Sequence, residues 1–211
     1  MATKTQLAKL ALFSGSVSAS GNTIAQYLSQ ERTQTDHSPT TKSWPLIANY
    51  SPVQTLRFFA YGLTFAPVSY RWHALLNKRF PLESAGSAKA KAIVVAKRMV
   101  IDQSLFAPFA TGAFVVCMGF LEGLTPTELV ERAKVQYPRI LVAGYMLWPA
   151  AQLINFSVIP LAYRVPFGST VSLFWNTYLG WSNNKMSREM AAERAGSPET
   201  GAAVHTGPAV V

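Results

Sequence analysis

Acidic residues are scarce in this chain, and histidine and cysteine are scarcer. Nineteen Lys and Arg stand against ten Asp and Glu, with three His and one Cys. A lone cysteine excludes an intramolecular disulfide. Its place in the apolar run AFVVCMGFL predicts that Cys117 is a buried, inert thiol. His37, His73 and His205 are scattered, and neither an HExxH pair nor a Cys/His cluster of ligand spacing occurs, so no metal is expected. There is also no glycine-rich phosphate loop, and no serine is paired with a recognisable base. No enzyme activity and no cofactor are expected.

The most informative absence is that of charge. From Ile140 to Leu179 the chain reads ILVAGYMLWPAAQLINFSVIPLAYRVPFGSTVSLFWNTYL, with Arg164 as its one charged residue. A helix in water shows solvent a charged face, so a run this long without one belongs in lipid or inside protein. Hydrophobic residues make up 49% of the 211 positions and charged residues 14%, which fits one bundle of spans better than several soluble domains. The net charge of +9 could indicate nucleic acid, but the basic residues flank apolar runs instead of gathering on one face. Lipid headgroups and topology account for them, and no nucleic-acid partner is expected.

The expected fold is therefore all-α: an integral membrane bundle of about four transmembrane helices with a short C-terminal apolar helix. The bundle covers residues 1–185, and a disordered polar tail covers 186–211. The first span, roughly 7–28, is weak and carries Ser14, Ser18, Asn22 and Gln26 at every fourth position, a stripe suited to close helix contact. Lys4, Lys9, Leu7 and Leu10 in its acid-free start fit either that span or a mitochondrial targeting segment. The second span, roughly 53–76, contains Arg57, Arg71 and Pro67; its arginines either snorkel to the interface or, for Arg57, enter the bundle. The third, roughly 99–121, begins beside Arg98 and Asp102, one helical turn apart and able to pair. Asp102 reads better as that partner than as a proton carrier.

After the third span comes a charge-balanced loop with a short surface helix, capped by Thr125 with Pro126 in first position. The fourth span is 140–163, and 165–181 is short for a full crossing. The basic excess falls on the N-terminus, the loop 78–98 and the tail. With four spans these share one side, the cytosolic or matrix face by the positive-inside bias.

The chain contains the segments SGSVSASGNTIAQ, LRFFAYGLTFAPVSYRW, KRMVIDQSLFAP, LEG, and WPAAQLINFSVIPLAYR followed by FWNTYL. In these it resembles the Mpv17/PMP22 family of small mitochondrial inner-membrane and peroxisomal membrane proteins. The signature residues are Trp148, Pro149, Gln152, Asn155, Phe156, Pro160 and Arg164, then Trp175, Asn176 and Tyr178. The chain departs from the family in two places. Ala66, Pro67, Tyr70, Trp72 and His73 stand where the family has Gly-Pro, a His three residues on and then Trp-Tyr, and Asn22 stands where many members have Asp. The resemblance implies a four-span protein that passes small solutes or modulates permeability and serves mitochondrial homeostasis and stress response. Asp102 with Gln103, INF and WNTYL lean to the mitochondrial inner membrane; Gly21 with Asn22 leans to the alternative, the peroxisomal membrane.

Two functions remain in view from the residues. Asn22, Gln26, Arg57, Arg98, Asp102, Gln152, Asn155 and Arg164 are the polar candidates for a pore or bundle interior, with Gln152 and Asn155 sharing a helix face with Trp148. They either line a pathway for small hydrophilic solutes or hydrogen-bond helices together. The alternative is an adaptor that organises a membrane complex, with Trp148, Trp175, Tyr178 and Trp181 as interfacial anchors or partner surface. The expected partners are the lipid bilayer and small solutes, with a homo-oligomer left open.

Overall fold

The structure, a computed structural model, describes residues 4–34, 50–81, 84, 86–157 and 164–196, and every regular element among them is helical. Helix α1 is Lys4–Gln34, α2 is Pro52–Arg79, α3 is Ala88–Leu121, α4 is Pro126–Ser157 and α5 is Arg164–Gly196. Helix α3 is α-helical over Ala88–Ile101 and Ala107–Leu121, with a π-helical turn, Asp102–Phe106, between them.

Local chemistry sets the ends. The Ser51 hydroxyl accepts from the Gln54 N–H at 3.3 Å, with Pro52 opening α2, and the Ser87 hydroxyl accepts from the Ala90 N–H at 3.2 Å to open α3. Helix α3 stops where Gly123 takes φ 79° and the Leu124 N–H returns to the Gly119 carbonyl. Thr125 and Glu128 form a reciprocal capping box for α4: the Thr125 N–H donates to Glu128 Oε2 at 2.8 Å, and the Glu128 N–H donates to the Thr125 hydroxyl at 3.4 Å.

The helices close into a ring, α1 against α2, α2 against α3, α3 against α4, α4 against α5, and α5 back against α1. The last seam is parallel and tight. A Cβ placed on Gly21 would come within 2.5 Å of Asn176 Cβ, so a residue larger than glycine there forces α1 and α5 apart.

Polar and apolar residues are distributed inside out relative to a soluble protein. Phe120, Met146 and Phe174 are 78%, 75% and 68% exposed, whereas Asn22, Gln136 and Asn183 are fully buried. Such a large apolar exterior is what a lipid-facing bundle requires. Among the described residues, Ala88–Leu121 is the one helix whose length and hydropathy alone suffice to cross a membrane.

Several expectations are corrected. The surface helix after Thr125 and the start of the fourth span are one continuous helix, which Pro138 and Pro149 do not interrupt; residues 158–163 lie outside the described residues. The short apolar helix and the start of the tail are likewise one helix to Gly196, because Met186, Asn183 and Asn184 are buried against the bundle; residues 197–211 lie outside the description. A 33-residue helix is about 50 Å long. It therefore carries the chain to the end opposite the N-terminus, and Glu128 bonds Arg194 there. The tail thus leaves from a different end than the basic loop before α3. Cys117 is exposed on the outer face of α3, since Phe114, Val115 and Met118 take the inward face.

Candidate functional site

The ring encloses a cavity of about 310 Å³ to which all five helices contribute. Its polar lining includes Ser14 and Ser18 from α1, Asp102 and Gln103 from α3, Gln152 from α4, and Asn176 from α5. The walls between are aromatic, with Trp148 and Trp175 in edge contact at 6.0 Å between centroids. Among the described residues the lining holds no Lys or Arg, and Asp102 is its one carboxylate.

The π-helical turn places that carboxylate. Adding a residue to one turn rotates the following side chains out of α-helical register, a device common at functional sites. Asp102 accepts from Trp72 Nε1 at 2.8 Å and from Gln103 Nε2 at 3.2 Å, both neutral donors. Trp72 itself lies flat on Phe106, with centroids 5.2 Å apart. Gln103 Oε1 is buried without a hydrogen-bond partner among the described residues, and the Gln103 carbonyl accepts from the Tyr145 hydroxyl at 3.0 Å.

On one side the cavity ends at an apolar layer of Phe58, Phe114, Val115, Met118, Ile140 and Leu179, all buried. Beyond this plug lies a polar layer that sequence reasoning missed. Arg132, 1% exposed, pairs with Glu122 and bonds Gln136 at 2.8 Å and Asn183, while the Ser187 hydroxyl donates to Glu122 at 3.0 Å. The signal in the sequence was the i, i+4 placement of Arg132 and Gln136 on the helix face that continues to Ile140.

The remaining candidates are distributed as follows. Asn22 and Gln26 are buried and join α1 to the start of α2. Gln26 Nε2 donates to Asn22 Oδ1 at 2.7 Å, Gln26 Oε1 accepts from the Ser51 N–H at 2.7 Å, and the Thr55 hydroxyl donates to Asn22 Oδ1 at 3.2 Å. Asn22 Nδ2 has no partner among the described residues. Arg57 is half-buried and lines a separate pocket beyond the plug. Arg98 and Asp102 do not pair: Arg98 Nε donates to the Phe80 carbonyl at 2.9 Å, closing the end of α2, while Asp102 turns to Trp72. The Asn155 and Arg164 side chains and all of Pro160 lie outside the described residues. Pro149 sits within α4. Asn176 Nδ2 donates to the Ser172 carbonyl at 2.7 Å, and the Tyr178 hydroxyl donates to the Arg139 carbonyl at 3.4 Å with its ring against Trp175.

Apolar outside, polar inside, and hollow at the centre, the ring is that of an integral membrane helical bundle. The sequence model of the Mpv17 / PMP22 family matches residues 119–180. Protein sym1 of Schizosaccharomyces pombe is 35% identical over 140 residues, 66% of this chain and 65% of that protein's own length. The mitochondrial inner membrane protein Mpv17 of Danio rerio is 34% identical over 173 residues, covering 82% of this chain and 86% of its own. Human Mpv17 is 32% identical over 176 residues, covering 83% and 89%. The chain belongs to the Mpv17/PMP22 family, and it is a mitochondrial inner-membrane protein. No solved structure matches it.

Proposed function

We propose that the protein is a multi-pass channel or permeability modulator for small hydrophilic solutes, with the central cavity as its pathway and no enzymatic activity. The observation that carries this reading is the cavity itself, bordered by every helix of the ring and furnished with Ser, Thr, Asn, Gln, His and Asp side chains among aromatic and aliphatic ones. Polar groups in a membrane interior are costly unless they bond one another or meet water or solute. In this reading α1 to α3, the part of α4 from Ile140 to Ser157 and the apolar part of α5 lie side by side in the bilayer. The basic end, with Lys4, Lys9, Lys78, Arg79, Lys89 and Lys91, faces the matrix by the positive-inside bias. The apolar plug keeps the resting pathway closed by excluding water.

A second reading, an adaptor, draws support from Asn22 and Gln26, whose bonds serve helix assembly and leave the cavity untouched. Reconstitution separates the two. Purified protein in planar bilayers should conduct, with conductance scaling with protein density. Well-folded protein that gives neither current nor solute leak above empty liposomes would remove the channel and leave the adaptor.

A further inference from the structure

Beyond the plug lies a pocket of about 320 Å³ whose charges do not cancel. Its wall includes Ser51, Gln54, Arg57, Glu122, Arg132 and Arg194. Arg132 is committed to Glu122, and Arg194 to Glu128. Arg57 makes no hydrogen bond or ion pair with any described residue, although it is half-buried. A guanidinium offers five N–H donors in a planar fork, and withdrawing it from water without a partner is unfavourable unless a ligand meets it.

The same wall adds the positive end of a helix. Ser51, Gln54 and Arg57 are three residues apart on the opening turns of the 28-residue α2, which has no acid in its first turn. The Ser51 oxygen is occupied as an acceptor by the Gln54 N–H, so its proton can be given outward. Gln54 gives one amide proton to Asn184 Oδ1 and keeps the other. An arginine without a partner among the described residues, a hydroxyl and an amide facing one space form a donor set for a tetrahedral oxyanion, with the helix dipole adding positive potential.

We propose that this pocket binds a phosphate group, carried either by a soluble phosphate or by the headgroup of an anionic phospholipid. The plug separates it from the central cavity, so it does not depend on conduction.

The test uses the full chain in zwitterionic detergent, with thermal unfolding followed as inorganic phosphate replaces chloride at constant ionic strength. The same measurement is made in nanodiscs of phosphatidylcholine with and without cardiolipin. A ligand that binds only the folded state raises Tm saturably. If phosphate does so for the wild type and not for Arg57→Gln, the ligand is soluble. If cardiolipin does so and abolishes the response to phosphate, it is a lipid headgroup. Should Arg57→Gln fail to fold, Ala191→Asp serves instead: it puts a negative charge on the same wall and should abolish the rise. No saturable rise with either probe, or a rise of equal size in the variants, overturns the proposal.

Discussion

Trp72 donates its indole N–H to Asp102 across 2.8 Å, tying α2 to the π-helical turn of α3 at the edge of the central cavity. The indole is oriented in turn by its stacking on Phe106. Trp72→Phe keeps the stacking and removes the donor, so the carboxylate loses its fixed position. A hydrogen bond to a charged group is worth roughly 1.5–3 kcal/mol, and the unfolding free energy should fall within that range. Asp102→Asn should leave the fold nearly intact and, in the channel reading, shift reversal potentials away from cations. Unchanged ion preference in Asp102→Asn would mean that the carboxylate does not face the permeating solute.

The plug predicts a gain of function. Met118 is fully buried in the same layer as Phe58 and Phe114, and Met118→Gln conserves its volume while making the layer wettable. Lowering the barrier by about 1.4 kcal/mol raises permeation about tenfold. Single-channel recording or dye efflux from liposomes measures this. A conductance equal to or below that of the wild type places the barrier elsewhere.

Arg132 and Glu122 should behave as a buried pair. Arg132→Met leaves Glu122 uncompensated and should cost about 3–5 kcal/mol, whereas Arg132→Met with Glu122→Leu should recover much of the loss. Chemical unfolding of the single and double variants forms the cycle. Additive losses would show that the two side chains do not interact.

Ser87 and Gly196 lie at opposite ends of the ring, because α5 runs parallel to α1, with Gly21 against Asn176 and Gly180 against Ala25. Single cysteines at the two positions, in a Cys117→Ser background, should react with an impermeant maleimide from opposite faces of intact mitoplasts. Labelling from one face would return the chain to an even number of crossings.

Glu128 is held below the usual carboxylate range, first by the Thr125 N–H, then by the Thr125 hydroxyl, with Arg194 adding to the effect. A carboxylate depressed in the folded state contributes stability above its unfolded pKa, and that contribution is lost as pH falls through the lowered value. Thr125→Val removes the hydroxyl and should move the Glu128 titration, followed by carboxyl carbon NMR, back towards ordinary. A normal titration in the wild type would show that the capping box is open in solution.

The parts legible in the sequence were those governed by local periodicity. The stripe of Ser14, Ser18, Asn22 and Gln26 indicated a packing face, and Ser18, Asn22 and Gln26 are buried at contacts with α2 and α5. The Arg132 layer was legible only in the i, i+4 spacing of Arg132 and Gln136, because its partners come from two stretches that each look soluble: a charge-balanced loop, and the polar residues after Trp181 that include Asn183 and Ser187. Neither has enough apolar periodicity to announce burial, and only the match of Glu122, Arg132 and Asn183 across three helices provides it. Arg98 was misread for a related reason. One-turn spacing to Asp102 is a local fact, whereas the Phe80 carbonyl reaches Arg98 only through the turn between α2 and α3.

The parallel seam of α1 and α5 sets an order in time. The first helix made is completed only by the last, since Gly21 receives Asn176 and Gly180 receives Ala25. Until residues 164–196 arrive, four helices form an open trough in which the Gly21, Asn22 and Ala25 face of α1 is uncovered. A chain crossing into the membrane from its N-terminus therefore has no enclosed lumen until synthesis and insertion are finished. Truncations that stop before Arg164 should present that uncovered polar groove to membrane quality control, and no sealed pathway can exist in a half-inserted protein.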